Sequence, residues 1–401
     1  MSLRPRVWQP EVECASPESL WLGMQAALDR WRAPEGLAVP RTPAELAQLP
    51  FTQKDDLHTH DGLGAFRVPA RQLVRLHASS GTRGTRTLVG YTAADLSLWT
   101  QLVARGLAAV GVTEDSVIYS MLSHGLFTGG FGFTQAATAL GALVVPGGGA
   151  RSAVHVSMMR RLQPDVLFAT PSYALHLARA HGPVPTISLG VFGAEPWTEA
   201  DRQALADLYG MRALDTYGLS EVIGPGVAFE CPHQQGLHIN ADVFWPEVVD
   251  GNGAPVPDGQ LGELVITAPT KQALPLLRYR TGDRTRLDWS VCTCGRTLPR
   301  MARVRARVDD MVVVRGVNVR PGQVAELLSR QPGGGWQLEV SRGPTGLDEL
   351  TVVVESALSE AVLERLQAVL GLRLSVRVVP LIPHAGGKAP RLVDLRGERG
   401  A

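Results

Sequence analysis

Between about residues 73 and 220, short apolar runs alternate with helical stretches. The strand candidates are Val74–Leu76, Val117–Met121, Ala142–Pro146, Val166–Ala169, Leu189–Phe192 and Ala213–Thr216. Between the first two lies a helix from Ala93 to about Val110, with Thr92 as N-cap and Gly111 as its stop. Leu96, Trp99, Leu102 and Leu107 fall near one of its faces. Strand–helix alternation at this spacing predicts βαβ units and a mainly parallel sheet. From about 237 to 300 the pattern changes to strands and turns, such as Pro257-Asp258-Gly259 leading into Leu261–Thr267. That predicts a β-rich subdomain. After 309 the order is strand pair, helix (Pro321–Arg330), two strands (Gln337–Ser341 and Leu350–Val354), helix (Leu358–Leu370) and strand (Ser375–Val379). The predicted class is therefore α/β. A large N-terminal domain (1–308) carries mainly parallel sheets and the β-rich subdomain, and a small mobile α+β domain (309–401) follows.

Composition narrows the function classes. The chain of 401 residues is 45% apolar and 19% charged, an ordinary globular balance. Its formal net charge of +1 gives no bulk attraction to nucleic acid or to an anionic membrane. No apolar run approaches the roughly 18 residues of a spanning helix. The opening Met-Ser-Leu-Arg-Pro-Arg-Val has no secretory core. Four cysteines are no disulfide framework, so a reducing cytoplasm is the expected compartment.

The chemistry sits in segments that follow strands. Ser79, Ser80, Gly81, Thr82, Arg83, Gly84, Thr85, Arg86 and Thr87 are all hydroxyl, glycine or guanidinium. Such a loop can wrap a polyphosphate, because glycine lets backbone N–H groups approach an anion and arginine adds charge-assisted forks. Asp215, Tyr217, Gly218, Ser220 and Glu221 turn at a strand end, where open α/β sheets bind ligands. An aromatic ring and a carboxylate there could stack a base and hold a magnesium ion. Gly193, Ala194, Glu195 and Pro196 form a similar strand end. Asp283, just past a strand, could accept two ribose hydroxyls. Arg307 and Asp309 stand at the domain junction, where a hinge would absorb rotation, and Lys388 lies on a glycine-rich tip. Neither a Walker loop nor a G-x-G-x-x-G fingerprint occurs. Separately, Cys231, Cys292 and Cys294 with His233 or His238 could form a Cys₃His zinc site; reduced unpaired thiols are the alternative.

Taken in order, these segments resemble the adenylate-forming acyl-coenzyme A synthetases, in particular the phenylacetate-coenzyme A ligase branch. The resemblance runs from about Leu49-Pro50-Phe51-Thr52-Gln53-Lys54 to Gly387-Lys388-Ala389 and is strongest over Tyr217–Gly226, Gly236–Ile239, Arg278–Asp283 and Asp309–Val319. It implies ATP, magnesium and coenzyme A as cofactors, an aryl acid as substrate, and a homodimer. It also implies roles. Ser79–Gly84 would cover the phosphates, Tyr217 stack on adenine, Glu221 bind magnesium and Asp283 grip the ribose. Arg307 would contact the nucleotide, Asp309 be the hinge, and Lys388 bridge carboxylate and α-phosphate. Gly316 would line the coenzyme A channel. Phe127, Gly193 and Ala194 would shape the acyl pocket. The family's phosphate loop usually reads Ser-Ser-Gly-Thr-Thr-Gly-Lys-Pro-Thr. Here Thr85 and Arg86 replace Lys-Pro, and Arg83 replaces the second Thr. The expected activity is AMP-forming acid–thiol ligation. A carrier-protein thiol as acceptor and a non-catalytic nucleotide- or CoA-binding regulator are the alternatives.

Overall fold

A computed structural model describes residues 5–31, 38–58, 63–79, 87–194, 197, 199–304, 306–307, 311–329, 336–380, 382 and 392–396. The expected calls at Ser80–Gly84, Glu195, Pro196, Asp309 and Lys388, and the side chain of Arg307, lie outside what is described.

The first strand pair, β1 (Arg75–Ala78) and β2 (Leu88–Tyr91), is an antiparallel ribbon and not part of the parallel sheet. The large sheet contains β3 (Val117–Ser120), β4 (Leu143–Pro146), β5 (Val166–Ala169), β6 (Leu189–Phe192), β7 (Arg212–Leu219), β8 (Gly224–Glu230) and β9 (Leu237–Ile239). Its edge is completed by β13 (Leu287–Asp288) and β14 (Arg300–Met301), giving the order β13-β14-β9-β8-β7-β6-β5-β3-β4. The half from β4 to β7 is parallel, as the strand–helix alternation predicts; from β7 onward every pairing is antiparallel. The expected β-rich region is thus divided. Part of it extends this sheet, and β10 (Trp245–Val249), β11 (Gly262–Ala268), β12 (Leu276–Thr285) and β15 (Ala306–Arg307) form a separate four-stranded sheet.

Both faces of the parallel half are covered, and the side chains alternate accordingly. Ile118, Phe168, Val191 and Leu214 pack with the helices Ala93–Val110 and Gly129–Ala139. Their neighbours Tyr119, Leu167, Phe192 and Ala213 pack with the helices Ser152–Leu162, Pro171–His181 and Glu199–Tyr209. A third cluster draws only on residues between Val312 and Leu392. There β16 (Val312–Val314) pairs with β17 (Val317–Val319), and a four-stranded sheet runs β20 (Ser375–Val378), β19 (Asp348–Val354), β18 (Trp336–Arg342), β21 (Leu392–Asp394). No helix among the described residues is long and apolar enough to cross a membrane.

The helix Ala93–Val110 is anchored at its start by a capping box. Thr92 Oγ1 accepts from Asp95 N at 3.1 Å, and Asp95 Oδ2 accepts from Thr92 N at 3.0 Å. Asp95 also accepts from the backbone N–H groups of Gln272 (2.6 Å) and Ala273 (3.0 Å), so one carboxylate fixes both the helix and a distant strap. Thr92→Ala should cost about 1 kcal/mol, and Asp95→Ala roughly 2–4 kcal/mol, because three backbone donors then lose an acceptor. Thermal unfolding should rank wild type above Thr92→Ala and Thr92→Ala above Asp95→Ala. Equal losses in the two variants would remove the strap from this account.

Candidate active site

Of the expected site residues that are described, Ser79, Gly193, Ala194, Tyr217, Gly218, Ser220 and Glu221 lie at the C-terminal ends of β1, β6 and β7. Ser79 follows β1, and its N–H donates to Thr87 O at 2.9 Å, pinning together the two ends of the glycine- and arginine-rich loop. Its hydroxyl donates to Glu221 Oε1 at 3.1 Å. Glu221 is 5% exposed and receives Lys54 Nζ on the same oxygen at 2.8 Å. Burial alone would raise its pKa, but the charge and hydrogen bond of Lys54, with Ser79, more than offset this and hold the carboxyl below its usual range. A full negative charge is therefore kept at the position expected to take magnesium.

Tyr217 and Asp283 are brought together from different sheets: the phenol donates to Asp283 Oδ2 at 2.6 Å. Asp283 is directly opposite Arg307 in the β12–β15 ladder. Gly218 sits at a bulge between β7 and β8 where a Cβ atom would lie 1.9 Å from Gly224 O, so only glycine lets the two strands close there. Ser220 Oγ meets Thr128 Oγ1 at 3.2 Å, tying this turn to the loop of residues 125–128. That loop is itself fixed to β1, because Leu126 O accepts from Ala78 N at 3.0 Å; Phe127, beside it, is 39% exposed. Gly193 lies against Thr216, and Ala194 holds φ +70°, a left-handed backbone that a non-glycine residue adopts only under local constraint. These contacts join the expected acyl-pocket residues to the Tyr217–Glu221 turn.

Asp215 is arranged differently. Its carboxylate pairs with Arg303 Nε at 3.0 Å, and its N–H donates to Glu230. Burial, then the Glu230 charge, raise its pKa to about 6, against the pull of Arg303. Its side chain supports the strand end from below. Gly316, in the β16–β17 turn at φ +77°, lies near the start of the helix Pro171–His181, where a Cβ atom would lie 3.8 Å from Thr170.

Two lysines went unmarked as site residues in the reading of the sequence. Lys54 is delivered by the segment Phe51–Leu57, which is stitched to β12: Thr52 N donates to Arg278 O and Arg280 N to Thr52 O, while Phe51 lies under the Arg278 guanidinium. Lys271 is 1% exposed, with Nζ 3.4 Å from the carbonyl of Glu221 and 4.5 Å from the Tyr91 ring centroid. The position of Lys54 within the family-like Leu49–Leu57 run was the available signal; nothing local distinguishes Lys271.

The cysteines form a second, separate cluster. The ligand atoms of Cys231, His238, Cys292 and Cys294 all lie within 4.8 Å of one another. Cys231 Sγ is 3.8 Å from Cys292 Sγ, and Cys294 Sγ is 3.5 Å from His238 Nε2. A tetrahedron with zinc–sulfur bonds of 2.3 Å has edges of about 3.8 Å, so the donor set fits zinc. His238 Nδ1 faces Leu298 O at 3.3 Å, which leaves Nε2 as the ligand atom. Of the two histidines considered, the structure brings His238 to the thiols and leaves His233 exposed. The Cys294 thiol is held low, first by the hydrogen bond from Cys231, then by His238 and Arg296. Arg296 in turn reaches the buried Glu13 at 2.5 Å, clamping the N-terminal segment onto this knuckle.

Burial pushes Lys271 down to about 7, with Asp95 and Glu221 pulling partly back. Between that value and the ordinary lysine range, the unfolded chain holds a proton that the folded chain has released, so this residue makes stability rise with pH. Below about pH 7 both states are protonated and its penalty is constant. In Lys271→Met this rise should disappear. Denaturation of both proteins at pH 7 and pH 9.5 checks it, the wild type gaining on the variant at the higher pH. A gap that does not change with pH would mean an ordinary lysine.

Comparison with known proteins agrees with this geometry. Residues 31–272 match the AMP-binding enzyme family. The chain is 42% identical over 390 residues to the phenylacetate-coenzyme A ligase of Thermus thermophilus, covering 88% of this chain and 87% of that one. It is 42% identical over 384 residues to that of Escherichia coli, covering 89% and 87%. A 2-hydroxyisobutyryl-CoA ligase in complex with 2-HIB-AMP and CoA in the thioesterification state superposes with a TM-score of 0.86 at 25% identity, over 98% of this chain and 94% of that one. The same ligase in its postadenylation state with 2-HIB-AMP gives 0.71, also at 25% identity, over 99% and 94%. With its strand-end cradle and these relatives, the chain belongs to the AMP-binding enzyme family, among the phenylacetate-coenzyme A ligases.

Proposed function

We propose that this chain is an ATP-dependent ligase that adenylates an aryl or arylacetic acid, phenylacetate first, and transfers the acyl group to coenzyme A, releasing AMP and pyrophosphate. The observation that carries the reading is the convergence of Ser79, Glu221, Tyr217 and Asp283 in one cradle at the strand ends. The pairing of Tyr217 with Asp283 fixes an aromatic face beside the carboxylate expected to accept the ribose hydroxyls. Glu221, ionised and buried beside the phosphate loop, is suited to a hard divalent cation. Bound there, magnesium would supply Lewis-acid neutralisation of phosphate charge.

The acid is a poor electrophile until its oxygen attacks the α-phosphorus of ATP. That step forms the acyl-adenylate and expels pyrophosphate, and the need is for positive charge around phosphorus. Lys388, by family resemblance, provides that charge from the small domain. The thiol then attacks the acyl carbon and AMP leaves. The same relative superposes better in its thioester-forming state than after adenylation (TM-scores 0.86 and 0.71), which supports a small domain placed for the second step with Gly316 turned toward the site. A hinge at Asp309 would serve both steps.

Pyrophosphate release should depend on the acid, and should turn over only with coenzyme A, when ATP and magnesium are supplied with a panel of aryl and arylacetic acids. No release with any acid would overturn the reading. Lys388→Ala should lose adenylation while still forming thioester from supplied acyl-adenylate; an unchanged first step would remove the lysine from the mechanism. For the cysteine cluster we propose structural zinc. Metal analysis should find about one zinc per chain, lost in Cys294→Ser and His238→Ala and retained in His233→Ala. Metal-free wild-type protein that melts as before would dispose of the site.

A further inference from the structure

Lysine is rare in this chain. Of its 39 Lys and Arg residues only Lys54, Lys271 and Lys388 are lysine. Arginine fills the other 36 positions, and a compact ammonium is not equivalent to a planar fork. Both that are described bracket Glu221, Lys54 on its carboxylate and Lys271 behind its carbonyl.

The position of Lys54 is built. Its segment adds Thr52 alongside Tyr279 of β12, the Thr52 hydroxyl donates to Leu277 O at 2.6 Å, and Phe51 packs beneath Arg278 and Arg280. The Asp56 carboxylate accepts from Gln53 N at 2.7 Å, closing the short turn that carries the lysine. Glu221 Oε1 accepts from both Lys54 and Ser79, so the ammonium stands at the first residue of the phosphate loop. That loop has threonine and arginine at 85 and 86 and no lysine of its own.

If Glu221 takes a divalent cation, as the proposed function requires, the ammonium cannot stay on the same oxygen, because two cations a few ångströms apart repel strongly at a buried site. In the ATP-dependent reading the anion next available to it is the triphosphate, expected beside Ser79. We propose that Lys54 is an exchangeable cation. It neutralises Glu221 in the empty site and passes to the triphosphate as Glu221 takes up the metal, giving this enzyme the phosphate-binding ammonium its loop lacks. The proposal rests on the ATP-dependent reading above.

Equilibrium binding of ATP and of AMP to the full chain, in magnesium and in EDTA, tests it. The proteins compared are wild type, Lys54→Met, Glu221→Gln and the double variant. Lys54→Met should weaken ATP about tenfold or more, the scale of a charge-assisted hydrogen bond, and AMP less than about twofold. In EDTA, Glu221→Gln should bind ATP more tightly than wild type, because Lys54 is released, and adding Lys54→Met should remove that gain. If Lys54→Met leaves a buried charge that prevents folding, the double variant, which has none there, carries the comparison against Glu221→Gln. Equal losses for ATP and AMP, or full recovery of ATP binding in the double variant, would reduce Lys54 to a counterion of Glu221. A wild type that binds AMP but not ATP would overturn the lysine's role alone; one that binds neither nucleotide would overturn the ligase reading as well.

Discussion

A carboxylate buried at the end of β7 sets the terms for the surrounding structure. Glu221 is ionised where water is scarce, and isolated it would be costly enough to neutralise itself. Its charge is tolerated because three separate pieces of chain are brought to it. The end of β1 supplies Ser79, the Phe51–Leu57 segment supplies Lys54, and the strap after β11 places Lys271 behind it. Each has its own anchor: the Ser79–Thr87 backbone bond, the Thr52 bridge to β12, and the Asp95 carboxylate that holds Gln272 and Ala273. Elements remote in sequence are thereby committed to one point before any ligand arrives.

How much of this was legible depends on how local the signals are. The helix Ala93–Val110 was bounded correctly because its cap, apolar stripe and terminal glycine are all written within it. Val166–Ala169 and Leu189–Phe192 were equally plain, being short apolar runs between helices. The strand after Leu73 was placed in the wrong sheet, since alternation reveals a strand but not its partner; β1 turns back on β2 instead. The β-rich region was located without its division, because the assignment of β9, β13 and β14 to the large sheet depends on pairings across long sequence separations.

The candidate site follows the same rule. Tyr217, Gly218 and Glu221 lie in one turn and could be read together, and Asp283 was reached by its own motif. Their contacts could not be read, because the Tyr217–Asp283 hydrogen bond spans two sheets. Asp215 looked like its neighbours in sequence, yet alternation along β7 turns its carboxylate to Arg303. The cysteine spacing suggested zinc while leaving two histidines open. Only the path of β9, which carries His238 back to the Cys292–Cys294 turn, separates them.

β12 also acts as a gauge. It receives the lysine-bearing segment at Tyr279; toward its end it carries Asp283, paired in the ladder with Arg307 of the strand Ala306–Arg307. Four positions separate those stations, and a break in the register against β11 falls between Arg280 and Arg284. Gly282, in the left-handed region at φ +73°, lies within that interval. The offset between the lysine-bearing segment, the Asp283 carboxylate and the strand Ala306–Arg307 is consequently set within one strand. A residue added or removed inside this interval would shift Asp283 against Tyr217 and against Arg307 while leaving the Lys54 segment in place.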